Sequence, residues 1–311
     1  MPTMYNCKDK KLNMKKKTLF KGVLLIAAII GAERFCHKMN HGFMVHKIVS
    51  HFPYDEAYKL ASFDENEVSS LHTILNQEFR FLGYGGQGYS FVSNDTDYVI
   101  KFFKMHHMRT PRILEKIPLF SNASLIKDNF VRSRQENHAK IFTSVKIASE
   151  QFKDETGIVF ANLNPAKNIF PTIAVISPIG VKLTVDLNHV PFVLQKRADL
   201  AFTQFKKLAI SKEEYKIQKM IDDITSFISI RCKKQIEDTD GGLLRNFSYY
   251  NNKIMQIDVG SFRKNDELKE VDAIRNTLLK KTGILRRMLI AHYPEMVPYL
   301  DLSIERSLDL E

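Results

Sequence analysis

Residues 78–92 read EFRFLGYGGQGYSFV, and residues 97–104 read DYVIKFFK. Gly83, Gly85 and Gly88 form the pattern G-x-G-x-x-G, which separates two apolar, aromatic-rich runs. After Gly88, apolar and polar residues alternate, and the polar cluster 93–97 precedes a second β-rich run. Alternation is typical of strands, and clusters of Ser, Asn, Asp and Thr are typical of turns. The sequence therefore predicts that the glycines lie in the turn between two strands.

A turn built from these glycines is suited to binding phosphate. Glycine has no Cβ, so the backbone N–H groups of Gly83, Gly85, Gly86 and Gly88 can come close to an anion. The glycine pattern of dinucleotide-binding proteins opens a helix, whereas this one lies between strands. Lys101 follows Val-Ile at the end of the next strand. We expect its ammonium group to reach the same phosphates.

A second polar stretch lies near the end of the chain, where residues 237–247 read EDTDGGLLRNF and residues 249–262 read YYNNKIMQIDVGSF. Asn251 and Asn252 predict a hairpin turn, and the run after them predicts a strand with Asp258 at its end. Carboxylate and amide oxygens are the ligands that Mg²⁺ prefers. Asp240, Asn246 and Asp258 are therefore candidates for holding Mg²⁺ and for orienting a hydroxyl group.

The glycine pattern, the strand lysine, an Asp…Asn loop and Asp258-Val-Gly260 follow one another in the order found in protein kinases. Between Phe79 and Phe262 the chain resembles the protein-kinase-like superfamily, and in kind it is similar to small, atypical bacterial kinase-like proteins. The resemblance implies an α+β fold with two lobes. The N-lobe would hold an antiparallel sheet and one long helix, and a shortened C-lobe would be mostly helical.

The resemblance also implies roles for single residues. The residues that would bind ATP are Gly83, Gly85, Gly86, Gly88 and Lys101. Asn246 and Asp258 would hold Mg²⁺. Asp240 would be the catalytic residue that orients the acceptor hydroxyl, and Lys101 would support catalysis by neutralising charge on the phosphates.

The long helix that the resemblance requires is predicted over residues 124–152, where apolar residues recur at helical spacing. Glu136 is the candidate acid that would pair with Lys101 at the nucleotide. It projects about 150° from the centre of the apolar stripe on a helical wheel, so a solvated surface position is the alternative. Further helices are predicted at 65–76, 201–210, 212–232 and 267–292, and further strands at 158–163, 172–177 and 191–197.

Four departures from the kinase pattern leave the function open. No His-Arg precedes Asp240, and Asp240 lies six residues before Asn246 where the family spacing is five. Asp238 is a substitute candidate for the base. The acid that pairs with Lys101 is not settled. Only residues 261–311 follow Gly260, which is why the C-lobe would be shortened.

Three interpretations follow. In the first, which we favour, the chain is an enzyme: an ATP- and Mg²⁺-dependent phosphotransferase that acts on a hydroxyl group of a protein or a small molecule. In the second, it is a pseudokinase, a kinase-like module that binds nucleotide or a partner without turnover. In the third, it is a membrane-anchored surface protein whose kinase likeness is incidental.

The net charge of +11 is concentrated near the N-terminus. Residues 1–40 hold nine Lys and Arg against two acidic residues, which leaves a net charge of +4 for the rest of the chain. That balance is ordinary for a protein surface, so nucleic acid is not expected as a partner.

A basic segment with seven lysines between positions 8 and 21 precedes residues 22–32, which carry no charge. A spanning helix needs about 20 apolar residues. The run therefore predicts either a membrane anchor extended by its flanks or a cleaved signal peptide, with a buried N-terminal helix as the third option. In the first two cases the N-terminus stays cytoplasmic and the rest crosses the membrane. We expect a membrane-anchored or secreted protein.

The chain is predicted to have four divisions: a leader and anchor at 1–36, an extension at 37–75, the N-lobe at 76–197 and the C-lobe at 198–311.

Overall fold

The computed structural model of the chain describes residues 5–60, 65–111, 122–211 and 213–309. Its helices are α1 Tyr5–Met39, α2 Glu65–Leu75, α3 Asn122–Gln151, α4 Lys153–Thr156, α5 Ala201–Ser211, α6 Glu214–Lys233, α7 Leu243–Asn246, α8 Val271–His292 and α9 Val297–Leu308. Short 3₁₀ turns are Val45–Lys47, Glu56–Tyr58, Met105–His107, Asp266–Lys269 and Pro294–Met296. Each of the four predicted divisions of the chain includes some residues outside the described ranges.

The strands are β1 Glu78–Tyr84, β2 Gly88–Ser93, β3 Tyr98–Phe103, β4 Ile158–Asn162, β5 Thr172–Ile176, β6 Lys182–Asp186, β7 Phe192–Lys196, β8 Asp199–Leu200, β9 Ile236–Asp238, β10 Phe247–Tyr250, β11 Lys253–Gln256 and β12 Phe262–Lys264. A seven-stranded sheet has the order β4-β7-β3-β2-β1-β5-β6. β1, β2 and β3 are antiparallel neighbours, with Tyr84 paired to Tyr89, so the glycines lie in a hairpin as predicted. β5 runs parallel to β1, which is an exception to the predicted antiparallel pairing. The long connection between these two strands permits the crossover that a parallel pair needs.

One face of this sheet is covered by the chain that precedes it. Phe79, Phe91 and Ile100 on the strands share a buried core with Phe43 and with Leu75 of α2. Side chains alternate between the two faces of a strand, so every second residue of β2 enters this core. The segment before β1 is therefore part of the first core.

The opposite face of the sheet packs against α3. Ile141, Val145 and Ala148 of α3 are buried, and they belong to the same core as Phe103 of β3. The predicted apolar stripe is thus buried in the second half of the helix, whereas Ile126 near its start is exposed. That core continues into the helical part of the chain, so the division at residue 197 stays a prediction.

The helical part is built on α6, α8 and α9, with two small sheets β8-β10-β11 and β9-β12. The helix predicted over 212–232 is confirmed as α6, and it buries an apolar stripe that includes Ile217, Ile221, Ile224, Ile228 and Cys232, whereas Tyr215 is exposed. Residues at this spacing share one helix face. The predicted α+β architecture is confirmed: a strand-rich N-lobe with one long helix is followed by a mostly helical C-lobe.

Helix α1 precedes both lobes. Its large apolar side chains between Phe20 and Phe35 are each more than half exposed. Among the helices that the structure describes, none has both the length and the apolar composition that crossing a membrane requires.

Candidate functional site

The glycine loop is a closed turn with open space on one side. Gly85 donates its N–H to the carbonyl of Gly88 at 3.0 Å, and the N–H of Lys104 bonds the carbonyl of Gln87 at 2.8 Å. A Cβ at Gly88 would lie 2.7 Å from the carbonyl oxygen of Phe102, so glycine is needed there. A Cβ at Gly83, Gly85 or Gly86 would meet nothing within 4 Å. That open side is where an anion has access to the loop.

Lys101 reaches from β3 to the segment that carries Asp258. Its Nζ donates to the carbonyl oxygen of Ile257 at 2.5 Å. Burial lowers the pKa of Lys101 to about 8, and the Asp258 carboxylate opposes that shift. The structure therefore brings the predicted lysine and the predicted metal-binding carboxylate together.

Asn246 and Asp258 lie at the open end of one hairpin. β10 and β11 are antiparallel with Phe247 opposite Gln256, and the N–H of Ile257 bonds the carbonyl of Asn246 at 2.7 Å. The predicted turn at the other end is confirmed, because Asn251 and Asn252 both have positive φ angles of 47° and 60°. Asn tolerates this left-handed conformation better than most residues. The hairpin thus fixes the Asn246 and Asp258 backbones next to each other.

The side chains of Asn246 and Asp258 offer oxygen ligands. Asp258 is exposed, and its Oδ1 accepts the N–H of Gly260 at 3.3 Å. Asn246 is buried, and its amide nitrogen has no partner of ordinary hydrogen-bond geometry among the described residues. Mg²⁺ in nucleotide sites is held by one or two such protein oxygens together with phosphates and water. The pair fits this requirement.

Asp240 is a partly exposed carboxylate held in a polar loop. Its Oδ1 accepts the N–H of Gly242 at 2.9 Å, and Lys281 of α8 donates to its carbonyl oxygen. Burial acts to raise the pKa of Asp240, but the adjacent amide of Asn246, the Gly242 N–H and the charges of Arg245 and Lys281 together bring the pKa below its usual value. Asp240 is therefore ionised at neutral pH and able to accept a proton or a hydrogen bond.

Asp238, the substitute candidate for the base, is a buried structural group. It accepts hydrogen bonds from the N–H of Asp240 at 2.9 Å and from Nε2 of Gln256 at 2.8 Å. Gln256 also donates to the carbonyl of Asp258 at 3.1 Å and accepts from the buried Arg231 at 2.6 Å. This network ties the loop of Asp240 to the strand that presents Asp258, and it leaves Asp238 no access to a substrate.

Gln87 joins the glycine loop directly to the Asp258-Val-Gly260 segment. Its Nε2 donates to the carbonyl of Gly260 at 3.2 Å. A Cβ at Gly260 would lie 2.6 Å from Cδ of Gln87 and overlap its Oε1. This contact was not predictable from the sequence, although Gln87 is the one non-glycine residue between Gly85 and Gly88.

Ser144 is a second residue of the site that was not predicted from the sequence. This buried side chain on α3 donates its hydroxyl to the carbonyl of Val259 and accepts the N–H of Phe262 at 2.6 Å. It therefore fixes the turn that follows Asp258. The detectable signal was a lone serine inside the apolar stripe of a predicted helix.

Glu136 is not brought to Lys101. It is exposed on α3, whereas the inward side of that helix near the Asp258 segment carries Ser144 and Val145. The amine of Lys101 is instead satisfied by a backbone carbonyl. Glu136 therefore occupies a solvated surface position, which was the alternative prediction.

A cleft of about 460 Å³ lies next to Lys101, between the sheet and the helical part. Apolar residues Leu82, Val99 and Ile257 line it, and the connection 195–200 between the lobes closes one side. Small-molecule sites are typically clefts of this size with apolar walls and a few charged groups at one end. These apolar walls suit an aromatic base, and Lys101 in the same lining suits phosphate. The described residues thus fit both ATP and Mg²⁺.

Comparison with known proteins gives weak likenesses in structure. No family model matches the chain, and no curated protein matches it. A structure of the bifunctional kinase-methyltransferase WbdD has 13% identity and a TM-score of 0.35, covering 72% of this chain and 43% of that one. A second WbdD structure has 12% identity and a TM-score of 0.38, covering 74% of this chain and 46% of that one. This chain therefore spans less than half the length of the WbdD chains.

Two other solved structures are similar at the same level. The ternary complex of APH(2″)-IIa with streptomycin and ATP has 13% identity and a TM-score of 0.32, covering 80% of this chain and 89% of that one. The complex of Rv3197 with erythromycin, from Mycobacterium tuberculosis, has 10% identity and a TM-score of 0.31, covering 93% of this chain and 75% of that one. The assignment of site residues rests on the geometry of this chain alone.

Proposed function

We propose that the chain is an ATP- and Mg²⁺-dependent phosphotransferase of protein-kinase-like type, which transfers a phosphoryl group to a hydroxyl of a protein or a small molecule. One observation carries the proposal. The Lys101 amine from the N-lobe contacts the backbone beside Asp258 from the C-lobe, and the glycine loop touches Gly260 of the same segment. Phosphoryl transfer depends on such convergence of positive charge and oxygen ligands.

Each site residue has a separate task in this proposal. Lys101 leaves the Ile257 carbonyl and donates to phosphate oxygens, while the N–H groups of the glycine loop bind the same phosphates. Asn246 and Asp258 would hold Mg²⁺, which when bound neutralises the negative charge of the phosphates. Asp240, with Oδ1 already bonded to Gly242, would orient the acceptor hydroxyl through Oδ2 and take up its proton.

A kinase-like module that binds nucleotide without turnover is the second candidate. Two observations favour it. Gln87 holds the glycine loop against Gly260, so phosphates that enter between the loop and Asp258 would have to break this contact. In addition, α3 supplies no carboxylate to Lys101 among the described residues, since Glu136 is exposed.

Thermal unfolding with MgATP tests whether the site binds nucleotide. A ligand that binds only the folded chain stabilises it by RT ln(1 + [L]/Kd), about 2.7 kcal/mol at a hundredfold excess over Kd. We expect MgATP to raise the melting temperature of the natural protein and to have no effect on Lys101→Met or Asp258→Asn. Lys182→Met, an exposed lysine that pairs with Glu78, is the matched control and should keep the shift.

Two other outcomes would change the assignment. If the natural protein shows no shift with MgATP, both nucleotide hypotheses fail. If the shift appears without Mg²⁺ and no ADP is released, the chain is a binding module.

The location of the protein is a separate proposal. The basic segment and the uncharged run at 22–32 support a membrane-anchored or secreted protein with a cytoplasmic N-terminus. Fusing residues 1–40 to a reporter that is active in only one compartment tests it. Activity confined to the cytoplasm would exclude delivery across the membrane.

A further inference from the structure

The outer side of the glycine hairpin is covered by the segment that follows α1, residues 40–48, which we call the clasp. The ring of His41 stacks on Tyr84 at 5.0 Å and on Phe81 at 5.6 Å between centroids. The hydroxyl of Tyr89 donates to the carbonyl of Gly42 at 2.9 Å. These contacts lie on both strands of the hairpin, at Phe81 and Tyr84 on the first strand and at Tyr89 on the second. The clasp therefore holds the base of the glycine loop from outside.

The clasp continues this contact into the first core. Phe43 is fully buried and meets the rings of Tyr89 and Phe91 edge-on, at 5.2 and 4.9 Å. Burying an aromatic ring of this kind contributes strongly to packing. Movement of the clasp away from the hairpin would expose this ring, so the clasp and the hairpin move together.

The clasp is also fixed to the end of α1. The N–H of Gly42 bonds the carbonyl of His37 in the last turn of α1 at 2.8 Å. Lys47 donates to the carbonyl of Gly42 and contacts Nε2 of His37, both at 2.9 Å. Gly42 has a φ of 72°, and a Cβ there would lie 3.2 Å from the His37 ring. The junction between α1 and the clasp is thus tightly defined.

The same contacts reach the tip of the loop through Lys104. Its Nζ lies 5.2 Å from the ring centroid of Tyr84 and 4.9 Å from that of Tyr89. It donates to the carbonyl of Gly85 at 2.6 Å. A continuous series of contacts therefore runs from α1 through the clasp to the part of the loop that would bind phosphate.

Helix α1 carries a surface that suits lipid. Its large apolar side chains from Phe20 to Phe35 are more than half exposed, and seven lysines precede them in the sequence. The apolar residues lie on all sides of the helix, so binding inserts this part of α1 into the lipid while the lysines are attracted to anionic headgroups. An anionic membrane surface is thus the partner that both features fit.

For a chain that keeps α1 and is not delivered across the membrane, we propose that α1 binds an anionic membrane surface and that the clasp transmits this binding to the glycine loop, which raises the affinity of the site for MgATP. Membrane binding holds α1 in place, the tightly joined clasp then restricts the motion of the hairpin, and less conformational entropy remains to be lost when the loop binds phosphate. Coupling of this kind is reciprocal, so MgATP would raise the affinity for the membrane by the same factor. The regulation rests on the proposed function, since it acts on the same site.

The test uses the full chain with vesicles of phosphatidylcholine, with or without phosphatidylserine. We expect the Kd for MgATP to fall about tenfold on the anionic vesicles, within the range typical of allosteric coupling. We also expect hydrogen exchange at residues 83–88 to slow on anionic vesicles with no nucleotide present. Sedimentation measures how much of the chain binds to each of the two kinds of vesicle.

Two variants separate coupling from binding. His41→Asn removes the stacked ring but keeps a residue that tolerates the φ of 49° at this position. It should still sediment with anionic vesicles and bind MgATP, but neither the Kd nor the exchange of residues 83–88 should then respond to the vesicles. His46→Asn, in the same segment, is the control and should respond like the natural protein.

Three results would overturn the proposal. They are absence of sedimentation with anionic vesicles, unchanged exchange at residues 83–88 in the vesicle-bound chain, and a vesicle response that His41→Asn retains in full. Failure of the proposed function is distinct, because MgATP would then not bind on any vesicle while the exchange measurement still reports on the clasp.

Discussion

The Nζ of Lys101 lies 2.5 Å from the carbonyl oxygen of Ile257, 156 residues further along the chain. This bond joins the third strand of the N-lobe sheet to the segment that presents Asp258. The amine is desolvated there, and its charge faces a carboxylate. Both lobes thus contribute to one polar site, and its behaviour can be tested residue by residue.

The pH dependence of nucleotide binding should follow Lys101. Burial lowers its pKa from 10.5 to about 8 in the folded chain, so above that pH the amine loses a proton and with it the positive charge that attracts phosphate. We expect the Kd for MgATP to rise as the pH passes about 8, measured by titration calorimetry. Lys101→Arg, which stays protonated, should bind without this loss.

The same lowered pKa affects stability. Between pH 8 and 10.5 the unfolded chain keeps the Lys101 proton that the folded chain has released. Stability therefore increases with pH across this window through this group, because the unfolded state binds more protons. In Lys101→Met this contribution should disappear from the pH profile of the unfolding free energy, and an unchanged profile would contradict the assignment.

Ser144→Ala should destabilise the chain by about 1–3 kcal/mol, because it leaves buried backbone groups of Val259 and Phe262 without partners. Urea unfolding measures the change. Ser149→Ala on the same helix is a matched control, because the buried hydroxyl of Ser149 has no partner among the described residues. Ser149→Ala should be neutral or stabilising. Equal losses in the two variants would show that Ser144 does not hold the Asp258 segment.

The contact between Gln87 and Gly260 should appear as coupling in a double-mutant cycle. Gly260→Ala places a methyl group on the Gln87 amide, and Gln87→Ala removes one hydrogen bond worth about 0.5–1.5 kcal/mol. Because Gln87→Ala also removes the clash, we expect Gly260→Ala to destabilise less in that background than in the natural protein. Strictly additive changes in the unfolding free energy would mean that the two residues do not meet in solution.

Asp240 and Asp238 should differ in what their loss affects. Asp240→Asn should bind MgATP normally but release ADP, with water as the acceptor, about 10²–10⁴-fold more slowly, which is the usual contribution of a general base. Asp238→Asn removes a charge from the buried network of Arg231 and Gln256. We therefore expect this variant mainly to lower the unfolding free energy. If Asp238→Asn abolished turnover in a fully stable chain while Asp240→Asn did not, the roles would be reversed.

Features decided by neighbouring residues were predictable from the sequence. The glycine hairpin and the Asn251-Asn252 turn follow from residues that accept unusual backbone angles or lack a side chain. The stripe on α6 follows from helical spacing. These choices depend on a few consecutive residues, so they can be inferred without knowledge of the rest of the fold.

The sequence by itself determined the order of the polar motifs, the strand-turn-strand at Gly83 to Gly88 and the α+β character of the chain. Only the tertiary structure decided that Lys101 bonds a carbonyl instead of Glu136, that Asp238 is buried, and that Gln87 and Ser144 hold the Asp258 segment. The physical reason is separation along the chain. Periodicity identifies the buried face of a helix or strand, but the partner that each side chain meets depends on how distant elements pack together.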